Sequence, residues 1–453
     1  MAGAEGAAGA AIETPRTRAP VTHSRVLKVA LPIVLSNATL PILGAVDTAV
    51  VGQMGQAAPI GAVGLGAVIL TSFYWLFGFL RMGTTGLTSQ AHGAGRAGEV
   101  AAMLSRALMI GAAAGLAAIL LQGPLIHGAL WLAPASAEVE ALARDYMQIR
   151  IFSAPATIAL YGVTGWLIAL ERTRAVLVIQ LWMNGINILL DLWFVLGRGW
   201  GVSGVALATF IAEWSGLALG LWLCRGAFAG TAWRDRARVF EREALRRMMV
   251  VNTDILIRSL MLQGIFVSFL FLGAGQGDVV LAANQVLMQF LNITAYALDG
   301  FAFAAEALVG QALGARDRAG LRRSALLASL WGGVGVIAMA LAFALFGAAI
   351  IDVMTKAAVV QSEARIYLPY MVAAPLLGLA AWLLDGIFIG ATRSRDMRNM
   401  MAVSFCIYVV SVAALLPVLG NHGLWLALLI SFVARGVTLG LRYPALEAGA
   451  GRA

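Results

Sequence analysis

The sequence predicts an all-α integral membrane protein with twelve transmembrane helices arranged in two six-helix bundles. Three observations predict this fold: an apolar composition, twelve apolar segments of membrane-spanning length, and a repeat that relates the two halves. Hydrophobic residues make up 60% of the 453 residues, charged residues make up 12%, and the mean hydropathy is +0.85. Because about one-quarter of an ordinary soluble domain is charged, this composition excludes that class.

Twelve apolar segments are long enough to cross about 30 Å of hydrocarbon. These predicted spans 1 to 12 lie at residues 26–51, 58–82, 100–122, 142–169, 175–197, 202–224, 250–272, 279–305, 322–346, 365–391, 399–419 and 422–442. The 51 glycines fit such a bundle, because small residues let helix backbones approach closely in lipid.

Basic residues are concentrated in alternate connections between the spans. They precede span 1 and follow spans 2, 4, 6, 8 and 10, whereas the other connections contain few, chiefly Arg198 and Lys356. The positive-inside rule therefore predicts a multi-pass protein of the bacterial inner (plasma) membrane with both termini in the cytoplasm. The net charge of +9 reflects this topology and not nucleic-acid binding. Residues 1–24 lack the apolar core of a signal peptide and are expected to form a disordered cytoplasmic tail.

The two halves of the chain match without gaps at a shift of 221 residues. The segment LTSQAHGAGR (87–96) matches LVGQALGARD (308–317), and LIALERTR (167–174) falls on FIGATRSR (388–395). Because six is even, both copies enter from the same side, which predicts a pseudo-two-fold axis along the membrane normal. The predicted organisation is an N-terminal lobe, a basic cytoplasmic connector, a C-terminal lobe and a cytoplasmic tail, at residues 25–224, 225–248, 249–443 and 444–453.

Four polar side chains are predicted to share a depth in the outer half of the N-terminal lobe. With a rise of 1.5 Å per residue, Asp47 in span 1 and Asp191 in span 5 lie roughly 10 and 12 Å below the outer surface. Asn187 precedes Asp191 by one turn, and Thr209 in span 6 lies roughly 15 Å deep. Intramembrane carboxylates are costly and are usually functional. The four residues are therefore predicted to form a cation-coupling cluster.

The chemistry of this cluster allows two coupling ions. Neighbouring carboxyls in a medium of low dielectric constant favour a protonated form, so the pair could load and release H⁺. The same oxygens could hold Na⁺, and the residues leave this choice open. Pro32 and Pro41 each remove a backbone hydrogen bond and are expected to bend span 1. Alternatively, Asp47 merely accepts a hydrogen bond from a neighbouring helix, and the prolines only tilt the span.

The C-terminal lobe does not repeat this acidic pair. A shift of 221 residues leads from the four positions to Ser268, Tyr408, Val412 and Ile430. A different polar set is present there: Asp254, Arg258, Asp299, Glu306 and Asp385. Asp299 and Asp385 are equally compatible with a second ion or substrate site and with a structural network. Asp254 and Arg258 are predicted to form a structural pair one turn apart, and Glu306 is predicted to be structural.

Three segments resemble the multidrug and toxic compound extrusion (MATE) family, in its DinF-like branch. They are LAANQVLMQF (281–290), ALDGFAFAAEALVGQALGARDR (297–318) and the block NGINILLDLWFVLG…GVSGVALAT (184–209). The resemblance extends over about residues 25–440. It implies two six-helix lobes in a V around a central cavity. It also implies export of organic, often cationic and amphipathic compounds against influx of Na⁺ or H⁺.

The resemblance also implies roles for individual residues. Asp47 matches the family's carboxylate in span 1, Pro32 matches its bending proline, and Asn187, Asp191 and Thr209 match the rest of that polar cluster. Thr164 stands where the family often has asparagine, and it joins Asp299 and Asp385 as a candidate for the second site. Asp385 lies near an acidic position that another branch uses for Na⁺.

The predicted function is therefore secondary active export of small organic compounds by antiport with H⁺, or with Na⁺, through alternating access. The alternative is a flippase for lipid-linked precursors, but the spans contain few cations beyond Arg81 and Arg258. A membrane receptor or an intramembrane enzyme is less favoured, since no catalytic motif or large extramembrane domain is evident. The expected partners are small organic substrates and membrane lipids, without nucleic acid, resident metal or cofactor. The protein is expected to be a monomer and not an enzyme.

Overall fold

The computed structural model describes residues 20–53, 56–133 and 135–450. The described residues are almost entirely helical and contain no strand. Within them, eleven helices are long and apolar enough to cross a membrane, and span 1 adds a twelfth crossing made of two shorter helices. The predicted fold class is confirmed. Residues 1–19, most of the predicted tail, lie outside the described residues.

The N-terminal lobe contains spans 1 to 6, and four of these spans consist of consecutive helical pieces. The helices are His23–Ala38 and Leu40–Gly52 (span 1), Ala57–Trp75 and Gly78–Gly93 (span 2), Ala97–Leu120 (span 3), Ala137–Arg150 and Ala154–Ala169 (span 4), Thr173–Asp191 with the π-helical turn Leu192–Gly197 (span 5), and Gly201–Leu223 (span 6). A further helix, Gln122–Leu132, lies in the connection between spans 3 and 4.

The C-terminal lobe contains six long helices. They are Arg242–Ala274, Asp278–Gly314, Arg318–Met354, Ala358–Gly390, Ser394–Leu419 and Asn421–Gly449, which form spans 7 to 12 in that order. The first of these helices begins inside the predicted connector 225–248, and the last continues through most of the predicted tail 444–453. The helices are longer than the apolar segments because an α-helix can continue beyond the membrane into polar surroundings. Hydropathy identifies only the part of the helix that lies in the hydrocarbon.

Span 1 breaks at Thr39, two residues before Pro41. Pro41 lies in the first turn of the second helix, where a proline costs no hydrogen bond, whereas helix His23–Ala38 continues through Pro32. The Thr39 hydroxyl caps the first helix by donating to the Ser36 carbonyl at 2.7 Å. The expected interruption of span 1 is therefore located at Thr39. The bending role of Pro32 stays a prediction.

The two lobes pack against each other at the end of the bundle that carries the arginine-rich connections. We call this end the basic end and the other the opposite end. The packing uses the first helix of span 1 and the second helix of span 2 against spans 7, 8 and 10. Both of these N-terminal-lobe helices lie on the basic-end side of their spans, so the basic end is closed.

A symmetric pair of glycines allows this close approach. A Cβ atom on Gly93 would lie 2.0 Å from the carbonyl oxygen of Gln311, and one on Gly314 would lie 2.0 Å from that of Gln90. The Gln90 side chain donates to the Gly390 carbonyl at 3.0 Å, and the Gln311 side chain donates to the Ala169 carbonyl at 2.8 Å. Each pair of equivalent residues is 221 positions apart, so the repeat seen in the sequence is a pseudo-two-fold axis in the structure. We call Gln90, Gly93, Gln311 and Gly314 the clasp.

Candidate functional site

The structure brings together the four predicted cluster residues Asp47, Asn187, Asp191 and Thr209. Asn187 and Asp191 lie one turn apart on the inner face of span 5 and are buried. When the amide nitrogen of Asn187 faces the carboxyls, it donates to Asp47 Oδ1 at 3.0 Å and to Asp191 Oδ2 at 3.2 Å. The amide oxygen then accepts from the Thr209 hydroxyl at 3.0 Å. Spans 1, 5 and 6 therefore meet at one amide group.

The charge on the carboxyls decides which atom of the Asn187 amide faces them. With the amide turned the other way, its nitrogen would donate to Thr209 Oγ1 at 3.0 Å, and the Thr209 hydroxyl would donate to the Val205 carbonyl at 3.0 Å. The amide oxygen then faces the carboxyls of Asp47 and Asp191, which is favourable only if a proton or a cation lies between them. The first orientation suits ionised carboxyls, and the second suits a cluster that has bound a positive charge.

The two carboxyl groups of the cluster are close enough to act on each other electrostatically. Asp191 is fully buried, Asp47 is half-buried, and the Oδ1 atom of Asp191 has no partner among the described residues. Two neighbouring carboxylates in a medium of low dielectric constant repel each other and lose hydration, so they are poorly stable together without a compensating charge. The arrangement is therefore suited to taking up one positive species.

A buried ion pair that the sequence analysis missed lies beside this cluster. Arg150 of span 4 donates to the Glu213 carboxylate of span 6 and to the Ser153 hydroxyl, and both members of the pair are buried. Arg150 is close enough to act electrostatically on Asp47. A usable signal was present, since Glu213 is the only charged residue in the sequence of span 6 and Arg150 lies among apolar residues of span 4. The prediction that the spans hold few cations is thus incomplete.

The break in span 1 is linked by side-chain hydrogen bonds to both lobes. Asn184 of span 5 donates to the Thr39 hydroxyl at 2.9 Å, and Asn37 donates to the Tyr296 carbonyl of span 8 at 3.1 Å. Asn184 lies one turn before Asn187, so the same face of span 5 contacts the break and the carboxyl cluster. Its helical spacing from Asn187 and Asp191 is the signal that could have identified it.

The acids of the C-terminal lobe have arginine partners. Asp385 accepts from Arg258, and Arg435 approaches the same carboxylate at 3.8 Å. The expected pair of Asp254 with Arg258 does not form, since Asp254 instead binds Arg398 at 2.6 Å. Residues on neighbouring helices displace the local partner because they reach the carboxylate with better geometry. The role of Asp385 as an ion ligand stays a prediction, and its surroundings are those of an ion-pair network.

The other candidates for the second site form no hydrogen bond to Asp385 within the described part of the chain. Asp299 is half-buried between the lobes and makes no hydrogen bond to the described part of the chain. Two turns along span 8, Glu306 binds Arg81 of span 2 at 2.9 Å, and this ion pair joins the lobes. Thr164 donates only to carbonyls of its own helix, those of Leu160 at 2.8 Å and Tyr161 at 3.1 Å. No hydrogen bond links Thr164, Asp299 and Asp385 among the described residues, and a second site at these three residues stays a prediction.

In the part of the chain that the structure describes, two related lobes of membrane-crossing helices, with two neighbouring carboxyls inside one lobe, define a polytopic membrane protein of the transporter class. The chain belongs to the MatE family, whose model matches residues 32–193 and 255–415. The two matched segments fall in the two lobes, as the repeat requires. The predicted resemblance is confirmed.

Similar proteins support the same assignment. The chain is 41% identical to DNA damage-inducible protein F of Escherichia coli K12, over 90% of this chain and 89% of that protein. It is 28% identical to a probable multidrug resistance protein NorM of Synechococcus, over 72% and 71% of the two chains. The bent form of the Vibrio cholerae MATE transporter VcmN superposes with a TM-score of 0.85 at 20% identity, covering 95% of this chain and 98% of that one. The last similarity shows the shared fold.

Proposed function

We propose that the protein exports small organic compounds by secondary antiport with H⁺, coupled at the cluster of Asp47, Asn187, Asp191 and Thr209. The observation that carries this proposal is the meeting of the Asp47 and Asp191 carboxyls at the single amide nitrogen of Asn187. A relative named as a probable multidrug resistance protein supports the cargo class. The coupling ion is a proton in this proposal because both carboxyls lie within hydrogen-bond distance of one amide nitrogen, and one shared proton relieves their repulsion.

The protonation state of the cluster can change the position of the second helix of span 1. Asp47 lies on the second helix of that span, beyond the break at Thr39. Protonation of the cluster changes the hydrogen bond between the Asn187 amide and the Asp47 carboxyl. The second helix of span 1 therefore gains or loses this hydrogen bond to span 5. The first helix stays attached at the basic end through Arg25, which binds Glu171 at 2.5 Å. The two helices can thus move independently, which provides a route from protonation to the shape of the cavity.

Alternating access requires that one end of the cavity be closed while the other is open. The clasp closes the basic end, and we infer that this end faces the cytoplasm of the inner membrane, with both termini on that side. Towards the opposite end, a cavity of about 360 Å³ lies between Trp75 of span 2 and the helices of spans 7 and 8. Aromatic, methionine and amide side chains line it, among them Phe266, Met288 and Gln285. Such a mixture suits amphipathic organic cargo.

The test is efflux of a cationic dye from proteoliposomes containing the full chain, with the pH gradient and the Na⁺ gradient imposed separately. We expect the pH gradient alone to drive efflux in the wild type and to fail with Asp47→Asn, because the amide cannot carry the exchanged proton. Asp352→Asn is the matched control, since Asp352 is an exposed acid paired with Arg365. This control should transport like the wild type.

Three results would contradict the proposal in different ways. Efflux driven by the Na⁺ gradient alone would show that the coupling ion at these carboxyls is Na⁺ and not H⁺. Full pH-driven efflux by Asp47→Asn would remove the cluster from the coupling mechanism. Absence of dye efflux together with translocation of a lipid-linked oligosaccharide would identify the protein as a flippase.

A further inference from the structure

Two cavities at the basic end are related by the pseudo-two-fold axis. The first has a volume of about 710 Å³ and is lined in part by Gln90, Ala94 and Arg247. The second has a volume of about 350 Å³ and is lined in part by Gln311, Ala315 and Arg25. Gln90 and Gln311 are 221 positions apart, as are Ala94 and Ala315. The second cavity is therefore an internal reference for the first.

An arginine holds the clasp glutamine in both cavities, but only one arginine has an acidic partner. Arg247 donates to Gln90 Oε1 at 2.7 Å, and Arg25 donates to Gln311 Oε1 at 3.0 Å. Arg25 also binds the Glu171 carboxylate at 2.5 Å. The residue equivalent to Glu171 is Thr392, whose hydroxyl accepts from Arg247 at 3.3 Å. The first cavity therefore has a neutral group where the second has a carboxylate.

A second exchange increases the charge difference between the cavities. Arg96 lines the first cavity, and the equivalent position in the second cavity is Asp317. Arg316 and Arg393 also line the first cavity, which gives it four arginines, and none of the described residues lining it is acidic. The positive-inside rule accounts for arginines at this end but not for their concentration around one of two equivalent cavities.

The charges of the first cavity are not compensated within the described protein. Arg247 binds only the neutral side chains of Gln90 and Thr392, and Arg96, Arg316 and Arg393 form no ion pair among residues 20–53, 56–133 and 135–450. Glu99 is close enough to Arg247 to act on it electrostatically, but Arg106 binds its carboxylate at 2.5 Å. Four like charges around one concave space produce a strong positive potential that attracts anions.

We propose that the first cavity binds a phosphate-bearing anion. Guanidinium groups match phosphate oxygens with paired hydrogen bonds, and the cavity is large enough for a diphosphate or for a lipid headgroup. Basic pockets between transmembrane helices on the cytoplasmic side are typical sites for anionic headgroups. The shared chemistry is a phosphate with two or more negative oxygens, whether it belongs to an anionic lipid or to a soluble compound.

The position of the site predicts a consequence for the transport cycle, which rests on the proposed function. Arg96 belongs to the N-terminal lobe, whereas Arg247, Arg316 and Arg393 belong to the C-terminal lobe. An anion held by both groups bridges the lobes only while the clasp is closed. A ligand that binds one state better shifts the population towards that state. Anion binding is therefore expected to favour the closed basic end and to slow transport at saturating concentration.

The decisive variant is Thr392→Glu, which gives the first cavity the carboxylate present in the second. Thr392 has a positive φ of 50°, and Glu171 occupies the equivalent conformation at 59°, so the backbone accepts glutamate. The new carboxylate should bind Arg247 and exclude the anion. Ala319→Glu is the matched control, because it adds a carboxylate to the second cavity instead. Arg96→Gln removes one positive charge at an exposed position and serves as an independent variant.

The experiment measures binding to the purified full chain and does not depend on transport. In lipid-free detergent, inorganic pyrophosphate is titrated by calorimetry; in nanodiscs, retention of phosphatidylglycerol is compared with phosphatidylcholine by native mass spectrometry. We expect at least one anion to bind the wild type and Ala319→Glu equally, and Thr392→Glu about ten-fold more weakly, a change of about 1.4 kcal/mol. Arg96→Gln should also weaken binding.

The two arms separate the sources of the phosphate. Pyrophosphate binding in detergent identifies a soluble anion, and selective retention of phosphatidylglycerol alone identifies a lipid headgroup. Binding of neither anion, or equal binding by the wild type, Thr392→Glu and Arg96→Gln, would overturn the proposal. Because binding is read without dye efflux, this result is independent of whether the carboxyl cluster couples transport.

Discussion

The two lobes share one helical plan but differ in how two sets of acids are compensated: Asp47 and Asp191 in one lobe, and Asp254, Asp385 and Glu306 in the other. In the N-terminal lobe, Asp47 and Asp191 face each other and the Asn187 amide, and one carboxylate oxygen has no described partner. In the C-terminal lobe, buried acids bind arginines: Asp254 with Arg398, Asp385 with Arg258 and Glu306 with Arg81. An arginine is part of the chain and cannot be exchanged for another cation. A carboxyl group without an arginine partner requires a cation from solution when it is ionised. Among the described residues, the repeated fold thus contains a carboxyl pair without an arginine partner in hydrogen-bond contact in one lobe, and three acids paired with arginines in the other.

The basic end shows the reverse asymmetry. There the N-terminal lobe supplies the acid, Glu171, and the corresponding residue of the C-terminal lobe is Thr392. An arginine lies beside each residue, Arg25 in one cavity and Arg247 in the other, so the presence or absence of one carboxylate changes the charge of the cavity. In both comparisons the two lobes have the same backbone arrangement. A few side chains decide which charged groups lack a partner in the protein and can bind a ligand.

The largest expected effect comes from removing a fixed cation of the C-terminal lobe. Arg258→Met leaves Asp385 with only the more distant Arg435, so the lobe acquires a poorly compensated buried acid. Breaking a buried ion pair costs about 3–5 kcal/mol. We expect a marked fall in the melting temperature of the purified protein, partly restored in Arg258→Lys.

A surface ion pair provides the control for this prediction. Arg365 and Asp352 are both exposed, and the same change, Arg365→Met, should cost less than about 1 kcal/mol. Equal melting temperatures for Arg258→Met and Arg365→Met would show that the Asp385 pair is not important for stability, and the comparison between the lobes would lose its energetic basis.

An intermediate effect is expected from the clasp glycines, and it tests the symmetry of the comparison. Gly93→Ala and Gly314→Ala each place a Cβ 2.0 Å from a glutamine carbonyl of the other lobe, so the lobes must separate. Overpacking of this kind costs about 1–3 kcal/mol, and the two variants should lower the melting temperature by similar amounts. Gly185→Ala, where no atom lies within 4 Å of the new Cβ, should leave it nearly unchanged. Unequal effects of the two clasp variants would show that the basic end is not closed symmetrically.

A smaller effect is expected at the break of span 1. Thr39→Val removes the hydroxyl that accepts from Asn184 at 2.9 Å and caps the first helix at Ser36. The loss should be about 1 kcal/mol in stability, because one hydrogen bond and a helix end are affected. If the break transmits protonation, the rate of pH-driven efflux should change more than the melting temperature does. Identical efflux by Thr39→Val and the wild type would remove the break from the mechanism.

The smallest effect is expected at Thr164. Its hydroxyl donates only to carbonyls of its own helix, so Thr164→Val should change stability by less than about 0.5 kcal/mol and leave dye efflux intact. Loss of pH-driven efflux in this variant would add Thr164 to the coupling cluster, which the geometry does not support.

Distance along the chain was sufficient to predict the spans, the repeat and the depth of the acidic cluster. A helix rises by 1.5 Å per residue, so depth follows from counting residues, and the apolar length of each span follows from the thickness of the bilayer. For the same reason Asp47, Asn187, Asp191 and Thr209 could be placed together before any contact was known. Their shared depth is a one-dimensional property of the sequence.

Only the tertiary structure decided which side chains meet at a given depth. Asp254 and Arg258 are one turn apart and were expected to pair, yet their partners are Arg398 and Asp385, more than 120 residues away in sequence. The charge difference between the two cavities likewise depends on residues from both lobes. The rotation of each helix and the identity of its neighbours arise from packing of the whole bundle, and local sequence does not encode them.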